Sequence, residues 1–480
     1  MTLERLSHKR TKPRKRGSDL KSAILFLPVT NSPAEWQLAI LILGLLAIWS
    51  VIFLHTFVRP FEWDDLHLIR HYSYSELVSS LYGQEDPDRI ETPALRPVAT
   101  LLFHFQGTVF GENMILQRAF MVVLMGALLW TMGLLLREVG LSFAHILIIF
   151  ALFVSSRVFA SLVLWITNGA LILTYICITL STLFYLRWMK QGPNYLLALT
   201  FIFAALATFT REEAYTLPVA LPLVWWLATR DHTDYRRLMI GLLGISAIIT
   251  FHYLLRSILI VGAPQPGLNL SGAKTAIFSA LLPGGVQASG LLDHLLQVCW
   301  ILFLACTAFA FFRMAARRQH QLVVGICLLG LVLSSPALAV PRSFGVALPA
   351  LAFFTAIAVA IVEICRYVWL LHHDKGVLAK AIIVCLIGLT LGVVSGIRRS
   401  VYVAEALDEN SLEAVLHNGA MLFGRPATIP AERRQHFMAY MSALGITSHD
   451  DWTRLIARRQ DHSLTLTPPM FREKYGYLSF

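Results

Sequence analysis

Eleven apolar stretches, most of them near the length that crosses a bilayer, run through the chain and leave little room for a soluble fold. A hydrocarbon core of about 30 Å is crossed by about 20 helical residues. By that measure the spans are 36–58, 114–136, 141–157, 163–188, 195–210, 213–229, 238–258, 291–312, 321–337, 344–368 and 377–397. Charge is scarce: 14% of residues are Asp, Glu, Lys or Arg, against about 25% in a soluble domain. Mean hydropathy is +0.63. A chain of 480 residues so poor in charge cannot cover a water-facing surface of that size. The reading is an all-α polytopic membrane protein with about eleven transmembrane helices.

Basic residues set the orientation. Arg137, Arg187, Lys190, Arg230, Arg236, Arg237, Arg313, Arg317, Arg318, Arg366 and Lys375 fall in alternate connections. The positive-inside rule makes those connections cytoplasmic, together with the basic N-terminal segment 1–35. The formal net charge of +11 then suits anionic membrane lipids, with no nucleic-acid partner. The first apolar run exceeds a signal-peptide core and no small-residue cleavage site follows it, so it reads as a retained helix. Residues 36–397 form the membrane module. An odd number of spans puts the small C-terminal segment 398–480 on the outer face, with helical patterns over 431–444 and 449–459. Cys177, Cys299, Cys306, Cys327, Cys365 and Cys385 lie in apolar runs without a CxxC pair and read as packing residues.

Two outer connections are long. In the first, 59–113, Ser73 and Glu76 fit a capping box and Pro97 suits the first turn of a second helix. Both helices are amphipathic and too short to span, which predicts that they lie on the outer surface. The second, 259–290, is rich in Gly and Pro and reads as a mobile connection.

The candidate chemistry gathers on that outer side. Asp64 and Asp65 are adjacent carboxylates, which repel unless a cation compensates. That suits a general base or ligands for a divalent cation, Mg or Mn; a solvated acidic patch with Glu62 is the plain alternative. Arg96, just before Pro97, presents a planar fork donor or snorkels to the interface. Arg211, Glu212 and Glu213 interrupt two apolar runs, and charge near membrane depth is usually functional or paired. Arg342 stands among Pro336, Pro341 and Pro349, where its fork suits a phosphate or a lipid headgroup. His104 on the second surface helix and Arg157 at a span end are weaker signals. No phosphate loop, nucleophile elbow, zinc-protease motif or dinucleotide fingerprint sits in a supporting context.

The order of these motifs resembles the GT-C superfamily of membrane glycosyltransferases, most of all the protein O-mannosyltransferases, the TPR-containing O-mannosyltransferases and their bacterial relatives. Residues 63–69, WDDLHLI, are similar to the family's acidic first-loop motif, and 95–101, LRPVATL, to its Arg-Pro surface helix. Residues 210–218, TREEAYTLP, resemble its Lys-Glu motif with Arg for Lys. Residues 340–349, VPRSFGVALP, resemble its later arginine stretch without the tyrosines. The likeness covers roughly 36–370, and no TPR array follows.

The resemblance implies a GT-C-like bundle and a polyprenyl-phosphate sugar donor. It also implies a glycan, lipid or protein acceptor and a site on the outer face. In that scheme Asp64 or Asp65 is the base or holds the metal. Arg211, Arg342 and Arg96 serve the donor phosphate, and Glu212, Glu213 and His104 support the acceptor. The compact length favours a bacterial inner membrane with a periplasmic C-terminal segment. The rival reading is a lipid or glycolipid transporter or flippase. It is disfavoured because no internal repeat is evident.

Overall fold

The structure is a computed structural model. It describes residues 35–58, 61, 65, 68–85, 94–190, 192–229, 234–260, 277–278, 281–282, 290–315, 317–336, 346–372, 375–419, 422–423 and 431–460. Every regular element among the described residues is a helix, and none is a strand. Asp64, Arg342 and most of the connection 259–290 lie outside them.

In chain order the helices are α1 Glu35–Ile52, α2 Tyr74–Ser80, α3 Pro97–Val109, α4 Met114–Glu138, α5 Phe143–Ser155 and α6 Arg157–Leu164. Then come α7 Gly169–Met189, α8 Tyr195–Thr210, α9 Leu217–Thr229, α10 Tyr235–Leu259 and α11 Leu291–Met314. The last are α12 Arg317–Leu333, α13 Ala347–His372, α14 Lys375–Gly419, α15 Ala431–Ala443 and α16 His449–Gln460. A helix occupies each of the eleven apolar stretches. Among the described residues seven helices are long and apolar enough to cross a membrane alone, or eight if the bent pair α5–α6 counts as one span. α8, α9 and α12 are shorter.

Burial sorts these helices. The apolar stretch leading into and through α7 is 83% buried, whereas the apolar part of α11 is 11% buried. α7 packs on α4 and α8, and α13 on α5, α11, α12 and α14. α1, α10, α11 and α14 keep Leu43, Phe251, Leu302 and Ile387 exposed. Apolar faces of that extent are stable only against lipid. The protein is therefore an integral membrane protein built on an apolar helical bundle.

Local signals place several boundaries. Ser73 caps α2, and the Glu76 carboxylate accepts from the Ser73 N–H at 2.7 Å, completing the capping box. Pro97 opens α3, where its missing N–H is not needed. Two boundaries differ from the hydropathy reading. Ser156, at ψ 151°, breaks the chain between α5 and α6, which meet at 61°. α14 runs unbroken past residue 397 to Gly419; no Gly or Pro falls between 397 and 418, so the helix outlasts its apolar part. α15 and α16 dock back on α14.

The described residues between α1 and α4 mark one end of the bundle, called here the loop end. Glu138, with Lys190 at 2.8 Å and Arg187 at 3.2 Å, marks the other.

Candidate functional site

Two short helices make a recess at the loop end. At about 1.5 Å per residue, α8 and α9 reach roughly 24 and 20 Å, less than the hydrocarbon thickness of about 30 Å. Their junction is the single turn Glu212–Thr216, and lengths so far below those of α4 and α10 argue that it is set back from the ends of those helices. Arg211, extended at φ −160° and ψ 153°, ends α8 and aims the following carboxylates into that space.

α3 reaches down into the recess through Arg96, whose side chain makes no cap bond of its own. Its Nε and Nη2 donate to Glu212 Oε2 at 3.0 and 2.8 Å, and its Nη1 donates to Glu85 Oε2 at 2.9 Å. Arg256 on α10 lies 3.6 Å from the other Glu212 oxygen. Arg211 Nε donates to Glu213 Oε2 at 3.2 Å. Three arginines thus meet three glutamates, and the recess is neutral as a unit.

Burial pushes the Glu85 carboxyl up, against the opposing pull of Arg96 and Arg211. Burial also resists ionisation of Glu212, but Arg96 and Arg256 override it and hold that carboxyl at about 2. One member of the pair around Arg96 is therefore firmly ionised, and the other is held above its ordinary carboxylate range by burial.

Behind the ion pairs lies a polar relay. His252 is fully buried on α10. Its Nε2 lies 3.1 Å from the Leu95 carbonyl, which can only accept, so Nε2 carries the proton. Nδ1 then accepts from the Tyr215 hydroxyl at 2.7 Å. The relay ties the residue before Arg96 to the turn that carries Glu212.

Asp65 is fully buried at the same end. The Thr167 N–H, in the turn Ile166–Asn168 that leads into α7, donates to its Oδ1 at 2.8 Å. The turn carrying Arg211 and Glu213 also packs on α7, with both charges acting on Tyr175. Thr167 and Tyr175 are eight residues apart, about 12 Å of helix. Asp65 and the recess are thus neighbouring stations along α7.

His104 takes a supporting place. Its Nδ1 accepts the Tyr72 N–H at 3.0 Å, and its ring lies 4.9 Å from His71. Partial burial, with His71 adding to it, pushes the His104 imidazole below its ordinary range. One turn further along α3, Gly107 lets the helix approach the Arg70 backbone so closely that a Cβ would overlap it. The C-terminal segment reaches this end too: the Phe61 N–H donates to the Tyr440 hydroxyl at 3.0 Å, and the two rings stack at 5.3 Å.

Of the residues singled out from sequence, the structure joins Arg96 to Glu212 and Arg211 to Glu213. It sets Asp65 on Thr167 and His104 on Tyr72. Among the described residues no three His, Cys, Asp or Glu side chains assemble as a metal site, and the Asp65 oxygen Oδ1 is engaged by a backbone donor. Asp64, the other carboxylate of the expected Mg or Mn pair, lies outside the described residues. Glu85, Arg256, His252 and Tyr215 went unrecognised in the sequence. For His252 and Arg256 a signal existed: two polar residues four apart in one apolar span share a helix face.

An apolar cavity of about 250 Å³ lies between α4, α5, α7, α9, α12 and α13. Ala220, Leu333 and Leu348 line it toward the loop end, and His145 and Glu363 toward the other. From Leu348 to Glu363 is about 22 Å of helix. No protein-family model matches the chain, and no curated protein matches it.

Proposed function

We propose that the chain is a GT-C-type glycosyltransferase with eleven spans in a bacterial inner membrane. It moves a sugar from a polyprenyl-phosphate donor to a hydroxyl of a glycan, lipid or protein on the outer face. The observation that carries this reading is the alignment along α7. A buried acid, Asp65, is held by the turn into α7, the charged turn after Arg211 packs on the same helix, and α7 also lines an apolar cavity of about 250 Å³.

The chemistry follows from that alignment. Asp65, or Asp64 beside it in sequence, accepts the proton of the acceptor hydroxyl. The hydroxyl oxygen attacks the sugar C1 from the face opposite the phosphate, and configuration inverts. The C1–O bond to the lipid phosphate breaks, and its electron pair leaves with the phosphate oxygen. Arg211 and Arg342 stabilise the charge that grows there. Arg211 is suited to this because its described bond to Glu213 uses Nε alone. Arg96 acts at one remove, holding Glu212 and the amino end of α3 in place.

The test is Asp65→Asn. The amide oxygen still accepts the Thr167 N–H, so the fold persists while the base is lost. Transfer from a purified polyprenyl-phosphate sugar in detergent should fall about 10²–10⁴-fold. Full activity would remove Asp65 from the mechanism. A wild-type protein that transfers nothing in detergent but moves glycolipid across sealed vesicles would be a transporter.

A further inference from the structure

We propose that Arg157 and Arg399 form a second anion site at the loop end, built to take a phosphate ester. The site stands on charge and geometry alone and does not depend on the transfer reaction.

The two arginines flank a helix joint. The Ser400 hydroxyl lies 3.2 Å from the Ser155 carbonyl, pinning α14 to the corner where α5 turns into α6. Arg157 is the first residue of α6 and Arg399 precedes Ser400. Each is only partly exposed, and the Arg399 charge acts on Arg157. The Nε of each is closed off from solvent and has no hydrogen-bond partner.

Among the described residues, several other arginines at this end meet carboxylates. Arg70 meets Glu76, Arg96 meets Glu85 and Glu212, and Arg211 meets Glu213. Arg398, next in the chain, meets Asp293 at 2.7 Å. Among the described residues Arg157 and Arg399 have no such carboxylate. Two like charges that act on each other at a partly buried joint repel, and buried guanidinium donors are costly to leave unmade. An anion resolves both. A carboxylate supplies one charge for two cations, whereas a phosphate monoester supplies up to two and enough oxygens for two forks. The amino end of α6 adds partial positive charge on the same side.

The reacting phosphate is assigned to Arg211, whose following turn packs on α7, α8 and α9, whereas Arg157 opens α6 against α14. The anion here is therefore a second one: the phosphate of a lipid headgroup, or free phosphate.

The experiment uses the full-length protein in detergent with two probes, dioleoyl phosphatidic acid and inorganic phosphate. Binding is followed by native mass spectrometry for the lipid and by thermal shift for both probes. Saturable lipid binding that Arg157→Gln or Arg399→Gln weakens about tenfold or more supports the site with a lipid source. The same loss for inorganic phosphate supports it with a free-phosphate source. Removing one of two repelling charges leaves the ligand-free protein melting no lower than wild type, so lost binding is separable from lost fold. Arg399→Lys is the milder variant. It keeps the charge, loses the bidentate fork, and weakens binding about fivefold or more. No saturable binding of either probe, or binding that these substitutions leave within about twofold of wild type, overturns the proposal.

Discussion

Replacing Arg96 by methionine asks whether the recess is held together by the ion pairs seen in it. The variant keeps the length and apolar stem of the side chain and deletes three hydrogen bonds, two to Glu212 and one to Glu85. Net charge in the recess then falls from zero to minus one, and Arg256 at 3.6 Å is the cation left beside Glu212. Removing one partner of a buried pair costs about 3–5 kcal/mol. Arg96 keeps 19% of its side chain open, so about 3 kcal/mol is the better figure. Reversible unfolding in mixed dodecylmaltoside and SDS micelles measures it. Arg96→Met with Glu212→Gln and Glu85→Gln should regain most of the loss, because no carboxylate is then stranded. The sign with pH is also set. In the wild type, Glu212 has a depressed pKa, so its contribution is full above about 4.3 and is lost as pH falls toward about 2. In the variant the stranded carboxylates titrate upward instead, Glu85 most of all, since burial already pushes it up. The gap between wild type and variant therefore narrows from pH 7 to pH 5. A loss below about 1 kcal/mol, or a gap that does not change with pH, would refute the reasoning.

Three further outcomes are expected. Gly107→Ala drives a methyl into the Arg70 backbone and should cost about 1–3 kcal/mol, with faster proteolysis around residues 70–76. Tyr440→Phe keeps the ring stack on Phe61 but removes its hydrogen-bond acceptor; it should cost about 1 kcal/mol and speed hydrogen exchange at the Phe61 amide. His104 has a depressed pKa, so its support is present above about 6.5 and is lost as pH falls. Protonation removes the acceptor used by the Tyr72 N–H, so intrinsic-rate-corrected exchange at Tyr72 should rise from pH 7.5 to 5.5, and His104→Phe should abolish that trend.

What could be read from the chain was what local physics writes into it. Apolar length gave the helices, and Ser73 with Glu76 gave a capping box whose two bonds are present. Pro97 marked the start of α3, and patterning in the tail located α15 and α16. The misreadings were local as well. Hydropathy averages over the Ser155–Ser156–Arg157 corner and hides a 61° bend. A fall in hydropathy at residue 397 says nothing about helix continuity where no breaker follows. The site was legible only as a list. Arg96 and Glu212 are 116 residues apart, and periodicity cannot say which polar residue will meet which. Glu85 was indistinguishable from its acidic neighbours in the first loop. Only backbone closure, the Glu85 N–H to the Ala94 carbonyl at 2.7 Å, brings it beside Arg96.

The charges at the loop end divide by what opposes them, and that division bears on function. Arg96 is matched from two sides and cannot release Glu212 without stranding it, so its charge serves the architecture of the recess. Arg211 is matched once, through Nε, by a glutamate two residues away on the same turn. That bond is short-range, and Glu213 can turn aside while an anion takes its place. The contrast argues that anion binding near Asp65 falls to Arg211 rather than Arg96, although sequence alone put the two on equal terms. If so, Glu213→Gln should leave stability nearly unchanged, within about 1 kcal/mol, and should tighten binding of a polyprenyl-phosphate sugar by removing its competitor. Should Glu213→Gln weaken that binding instead, the glutamate is orienting Arg211, and the phosphate contact must be sought on another cation.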